Sequence, residues 1–287
     1  MLIEVLDETL LHCVRAALAE DVGPGDITAD LIPANRQAQA TVIAREAAVL
    51  CGMAWFDAVF AELDTAITVD WRVKDGSRIE ADQTLCTLAG PARAILSGER
   101  TALNFLQTLS GTATLANRYA ARVADLPVQV LDTRKTIPGL RDAQKYAVRT
   151  GGASNHRTGL FDGILIKENH ISAAGTIRQA VQDAARLHPG ILIEVEIERL
   201  EQIDEAIPAG AGRLLLDNFN LAQLADAVRQ VDRRVPLEAS GGVTLDNLRD
   251  IALTGVDFIS VGTLTKHVHA IDLSMRFEKP GSESNCG

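Results

Sequence analysis

The chain has 287 residues, 47% of them hydrophobic and 23% charged, with 28 Lys and Arg against 38 Asp and Glu for a formal net charge of −10. That length accommodates one large domain with a smaller companion, and a core that needs no disulfide support. The acidic balance excludes general nucleic-acid binding, which shows as a basic domain, and no apolar run approaches the length that spans a bilayer.

Cys13, Cys51, Cys86 and Cys286 are scattered without CxxC or metal-ligand spacing, and they read as buried or incidental thiols. Glu4, Asp7 and Glu8 do not make the basic start of a secretory signal, so a reducing cytoplasm is the expected location. Residues 6–20 set Leu10, Leu11, Val14, Ala17 and Leu18 on one helical stripe, with Asp7 as its cap and Gly23-Pro24-Gly25 as its end. Between residues 39 and 88 the pattern changes to short β-type runs at 40–44, 66–73 and 84–88, with Lys74-Asp75-Gly76-Ser77 as a turn. We read this segment as a small α/β domain that covers one side of a site.

Residues 97–122 are helical and are expected to break or bend around Gly111. Ala102, Leu103, Leu106 and Leu109 form the core stripe, whereas Arg100, Asn104 and Gln107 share another face. On spacing alone Arg100 is a surface residue. Beyond Leu126-Pro127 the rhythm is strand, loop, helix, repeated, with apolar runs at 128–131, 163–166, 192–195, 213–216, 237–239 and 258–261. Repeated βα units with apolar strands predict a parallel sheet, here an irregular or incomplete (β/α) barrel. The expected division is an N-terminal α/β sandwich domain over residues 1–111, with 270–287 packed on it, and a barrel over 112–269. The tail at 279–287, KPGSESNCG, is polar and expected to be disordered.

A basic island interrupts this acidic chain. Between Leu131 and Ile171 seven cations (Arg134, Lys135, Arg141, Lys145, Arg149, Arg157 and Lys167) face four anions (Asp132, Asp142, Asp162 and Glu168). Arg141, Lys145 and Arg149 recur at helical spacing and read as a solvated helix face. Arg134, Lys135 and Lys167 instead follow apolar strands, and His156-Arg157 follow the flexible pair Gly151-Gly152. Concentrated cations at strand ends ask for a small polyanion.

In a βα barrel the chemistry collects at the carboxyl ends of the strands. That rule selects Thr133, Arg134 and Lys135, then Lys167, Glu196, Asp217, Ser240-Gly241-Gly242 and Gly262-Thr263. Along the third strand Ile193, Val195 and Ile197 alternate with Glu194, Glu196 and Glu198, which turns the carboxylates inward. Glu194 is expected to pair with a barrel Lys such as Lys167, and Glu196, nearer the strand end, to serve function. Glu196 and Asp217 offer hard oxygens that either suit Mg²⁺ carried on a phosphate or accept hydrogen bonds from sugar hydroxyls. The two glycine-rich segments are expected to present backbone N–H groups to an anion at a following helix N-terminus.

Several short blocks occur in order: Asp132-Thr133-Arg134-Lys135-Thr136, Pro138-Gly139-Leu140-Arg141, Gly151-Gly152, Asn155-His156-Arg157 and Leu165-Ile166-Lys167-Glu168-Asn169-His170-Ile171. Together they resemble the quinolinate phosphoribosyltransferase family over most of the chain. Ile137 and Ala153 stand where the family often has Thr and a third Gly. The resemblance implies phosphoribosyl transfer from 5-phosphoribosyl 1-diphosphate to quinolinate with decarboxylation, giving nicotinate mononucleotide, pyrophosphate and CO₂ in de novo NAD biosynthesis. It implies Mg²⁺ as the cofactor and a homodimer in which Arg100 reaches the neighbouring subunit's site. It also implies that Arg134, His156 and Arg157 hold quinolinate, and that Lys135 and Lys167 neutralise the phosphates. A barrel lyase with Lys167 as a Schiff-base amine is the alternative chemistry.

Overall fold

The computed structural model describes residues 2–278, with side chains from Glu8 onward. The expectations for residues 279–287 and for Cys286 lie outside what is described; α1 begins at Leu2, so Asp7 falls within the helix and not at its cap. The first elements are α1 (Leu2–Asp21), β1 (Gln37–Ala44), β2 (Ala48–Val49), α2 (Met53–Leu63), β3 (Thr68–Trp71), β4 (Arg78–Ile79), β5 (Thr84–Pro91) and α3 (Ala92–Arg122). There follow β6 (Gln129–Leu131), α4 (Arg141–Thr150), β7 (Ile164–Ile166), α5 (Glu168–Ala174), α6 (Ile177–Leu187), β8 (Ile193–Ile197), α7 (Ile203–Ala209) and β9 (Arg213–Asp217). The chain closes with α8 (Leu221–Val231), β10 (Leu237–Ser240), α9 (Leu248–Leu253), β11 (Phe258–Ser260), α10 (Thr263–Lys266) and β12 (Leu273–Phe277). Of the described residues, 2–115, 138–151 and 268–278 form one compact unit, and 116–137 with 152–267 form the other.

In the first unit an antiparallel sheet has the order β12-β1-β5-β3, and β2 pairs with β4. Its core is built from the apolar stripes of the helices, including Val14, Phe56, Phe60, Leu103, Leu106 and Leu109, together with Val42 and Leu88 from the sheet. β12 runs antiparallel to β1, from Ala40 opposite Phe277 to Ala44 opposite Leu273. Cys51 and Cys86 are fully buried in this core, and burial pushes both thiols well above their ordinary pKa, away from the reactive thiolate.

Two features of this unit differ from the sequence reading. The helix does not break at Gly111, because α3 runs unbroken from Ala92 to Arg122. Gly111 is there for close approach instead: a Cβ built on it would lie 2.1 Å from the carbonyl oxygen of His269. The second difference is α4, which the sequence division assigned to the barrel. Ala143 and Ala147 join the first unit's core. Tyr146 donates its hydroxyl proton to Asp75 at 2.7 Å, and the other Asp75 oxygen accepts the N–H of Gly52 at 3.0 Å and of Met53 at 3.3 Å, where α2 begins. The same burial overturns the solvated reading of Lys145, which is only 2% exposed; most of α4 is covered, so the helix has no fully wet stripe.

The second unit is a parallel sheet of six strands in the order β6-β11-β10-β9-β8-β7. β6 and β7 stand at its two ends, and beyond β6 a single bridge joins Leu131 to Ser154. The barrel is therefore incomplete, as the strand count implied. Pleat alternation sorts each strand into two faces: Ile193, Val195 and Ile197 are buried, whereas Glu194 and Glu196 turn the other way to meet His156 and Lys167. The helices at 177–187 and 221–231 stand between consecutive strands of this sheet, in keeping with the strand, loop, helix rhythm of the sequence. α9 begins only at Leu248, because Asn247 folds the preceding residues into a turn, accepting from Thr244 N at 2.8 Å and donating to Gly242 O at 3.0 Å. Among the described residues no helix is long and apolar enough to cross a membrane.

Candidate active site

A cavity of about 730 Å³ opens where the strands of the second unit end. Thr133, Arg134 and Lys135 reach it after β6, Lys167 after β7, Glu196 from β8, Asp217 from β9, Ser240, Gly241 and Gly242 after β10, and Gly262 and Thr263 after β11. His156 and Arg157 complete the set. Of the expected site residues only Arg100 is absent from that lining; it is exposed on α3 in the first unit.

One buried carboxylate joins the two most basic loops. Asp132, fully buried, accepts the His156 backbone N–H at 2.9 Å and the Asn155 side-chain amide at 2.6 Å. The loop after Gly152 is thereby pinned to the end of β6. Arg157 donates to Gly163 O at 2.9 Å; burial lowers its pKa and the nearby Arg134 guanidinium lowers it further. Two cations held close enough to repel each other create a demand for an anion. Lys135 lies along the glycine of β11's end, with its Cδ 3.2 Å from where a Gly262 Cβ would stand.

The third strand's carboxylates pair differently from expectation. Ile166 is level with Val195 across β7 and β8, so Lys167, one residue on, is level with Glu196 and forms its ion pair there. Glu194, one pleat deeper, meets His156 Nε2 at 2.8 Å instead. A lysine engaged as an ammonium with a carboxylate is poorly suited to attack as a neutral amine, which weighs against the Schiff-base reading.

Asp217 accepts from the Asn218 side chain at 2.7 Å. Gly241 and Gly242 follow β10 with φ of 99° and 61°, in the left-handed region that glycine tolerates. They do not sit at a helix N-terminus, since α9 starts only at Leu248; any anion there meets loop N–H groups. A Cβ at Gly241 would stand 2.1 Å from Asn218 Oδ1. Gly241→Ala is therefore expected to displace the Asn218–Asp217 pair and weaken anion binding at this loop about tenfold, which titration with inorganic pyrophosphate will measure.

The floor of the cavity was not anticipated. Glu238 is fully buried, 3.5 Å from His156 Nε2 and 3.2 Å from Arg213 Nη1. Burial and then the charge of Glu194 raise its pKa well above the ordinary carboxylate value. For His156, burial works downward, but the hydrogen bond to Glu194 and the charge of Glu238 outweigh it and the pKa is raised. The signal was present in the sequence, because Glu238 shares the inward face of its strand with Ser240; attention to strand ends alone passes over it. Asn218, Ser260 and Lys266 also line the cavity without having been expected.

Among the described residues, His156, Glu194 and Glu238 are the one group of this kind whose ligand-type atoms lie within 4.8 Å of one another. Arg213 already supplies a cation to that group. Glu196 and Asp217 are a different pair, each partly engaged with its own neighbour. Two such carboxylates are too few for an all-protein Mg²⁺ cage and fit an ion that arrives on phosphate oxygens.

The chain resembles known proteins in both sequence and fold. Residues 26–110 match the quinolinate phosphoribosyl transferase N-terminal domain, and residues 112–276 match its C-terminal domain. The chain is 41% identical over 257 residues to the probable nicotinate-nucleotide pyrophosphorylase (carboxylating) of Bacillus subtilis, covering 89% of each chain. It is 40% identical to the nicotinate-nucleotide pyrophosphorylase (carboxylating) of Mycobacterium leprae, covering 91% of this chain and 95% of that one. The structure of the nicotinate-nucleotide pyrophosphorylase from Francisella tularensis superposes with a TM-score of 0.91 at 45% identity, covering 94% of this chain and 96% of that one. With both domains matched and the relatives covered nearly end to end, the chain belongs to the quinolinate phosphoribosyl transferase family.

Proposed function

We propose that the cavity of the second unit binds quinolinate and 5-phosphoribosyl 1-diphosphate together and joins them. The chain transfers the phosphoribosyl group to quinolinate with loss of CO₂, yielding nicotinate mononucleotide and pyrophosphate for de novo NAD synthesis. The observation that carries this reading is the mixture of charges at one mouth: Arg134, Lys135, Arg157 and Lys167 line the same cavity as Glu196 and Asp217.

The roles follow from charge and shape. Arg134 and Arg157, already repelling each other, hold the two adjacent carboxylates of quinolinate, and His156 walls the ring beside them. Arg100 of the neighbouring subunit in a homodimer adds a further cation. Lys135 and Lys167 neutralise phosphate oxygens, with Gly241, Gly242, Gly262 and Thr263 offering backbone and hydroxyl donors. Glu196 and Asp217 favour the positive charge that develops on the ribose as the bond to pyrophosphate stretches. Glu196 and Asp217 would hold Mg²⁺ brought in on the diphosphate, and the ion would supply charge neutralisation for the departing pyrophosphate. Once the ring nitrogen is quaternised it stabilises the carbanion left by CO₂ loss, which then takes a proton from water, so electrostatic positioning dominates. The reaction belongs in the cytoplasm.

Incubation with both substrates and Mg²⁺ tests this, with quinolinate loss and nicotinate mononucleotide formation followed together. Equal amounts of mononucleotide and pyrophosphate are expected, and chelation of the metal stops both. Pyrophosphate release without loss of quinolinate would refute the reading.

A further inference from the structure

Burying a carboxylate is costly even when a cation partners it, so one that is given no part in the reaction needs another reason to be there. Glu238 is fully buried at the cavity floor, and the roles above give it no work. Its contacts define a chain of interactions. Arg213 lies over the Phe258 ring at 4.1 Å and holds the Glu238 carboxylate at 3.2 Å. Glu238 and Glu194 face the same ring nitrogen of His156, at 3.5 and 2.8 Å. The other ring nitrogen, Nδ1, accepts the backbone N–H of Arg157 at 2.8 Å. Both nitrogens of His156 are thus turned to the protein, one to the floor and one to the residue that carries the guanidinium.

We propose that Glu238, backed by Arg213, is a positioning residue: with Glu194 it clamps the His156 ring, and the ring fixes the Arg157 backbone from which the guanidinium reaches the substrate carboxylate. This deepens the reading above and rests on its assignment of Arg157 to quinolinate. The ring orientation has two determinants. Glu194 supplies the short contact and Glu238 stands 3.5 Å from the same nitrogen, so a ring that swung toward the cavity would give up both carboxylates along with the Arg157 N–H. A guanidinium whose backbone anchor loosens by an ångström loses much of its binding contribution while the phosphate half of the site is untouched.

The test is the KM for each substrate, with kcat, in the full-length protein carrying Glu238→Gln, beside Arg157→Ala as the direct ligand. Glu238→Gln is expected to raise the quinolinate KM about tenfold and leave the KM for 5-phosphoribosyl 1-diphosphate within about twofold. Glu194→Gln, which weakens the shorter contact, is read by the same split and serves where Glu238→Gln does not fold. If Arg157→Ala raises the quinolinate KM and neither carboxamide variant does, the positioning role is overturned and the site assignment stands. If the carboxamide variants shift both KM values alike, their effect is general loosening and the proposal falls. If Arg157→Ala leaves quinolinate binding unchanged, the assignment itself fails and the positioning role goes with it.

Discussion

Arg134→Ala is expected to lower kcat/KM for quinolinate about a thousandfold, equivalent to roughly 4 kcal/mol, with the fold retained. The size follows from what is left behind. Arg134 lines the cavity beside Arg157, whose pKa is lowered first by burial and then by the charge of Arg134. Removing one guanidinium relieves that repulsion in the empty protein and leaves one of two adjacent carboxylates without its fork of donors. Arg134→Lys restores the charge but not the planar pair of hydrogen bonds, so it recovers only part of the loss. Initial rates at saturating 5-phosphoribosyl 1-diphosphate measure the effect, with a melting curve to verify folding. An unchanged quinolinate dependence would remove Arg134 from the site.

Gly111→Ala should destabilise the first unit by about 3 kcal/mol, although alanine is the better helix former. In an exposed helix the same change is stabilising. Here the added carbon would meet the His269 carbonyl oxygen at 2.1 Å and the His269 carbonyl carbon at 2.9 Å. Both are backbone atoms and cannot rotate away. Relief requires residues 268–271 to move off α3, and with them the hydrogen bond from Ile271 N to Gln107 O at 3.2 Å. A fall in melting temperature of roughly 6 °C or more is expected. A rise would mean that the segment yields freely and that helix propensity governs the position.

Much of this molecule was legible along the chain. Apolar runs separated by helical periods located all six strands of the barrel unit, because a parallel strand buried on both sides must be apolar wherever it lies. The strand-end rule then selected cavity residues from topology alone, since consecutive βα units deliver their loops to one face. Blocks such as Asp132 to Thr136 and Leu165 to Ile171 carried the family, which matched domains over residues 26–110 and 112–276 bear out.

Other features depended on which backbones meet in space. Whether a glycine inside a helical pattern breaks the helix or lets a neighbour pass is decided by residues distant in sequence, as His269 does for Gly111. Lys145 has the spacing of a solvated cation, yet it is 2% exposed on a helix whose Ala143 and Ala147 join the first unit's core. The choice of partners for Glu194 and Glu196 turned on one level of strand register, which sets Lys167 beside the latter and His156 beside the former. Sequence by itself determined the element types, the barrel-like order and the residues at the strand ends, because these follow from periodicity and chain connectivity. Only the tertiary structure decided who pairs with whom inside, because a buried charge takes whichever partner the packed backbone brings within hydrogen-bonding distance.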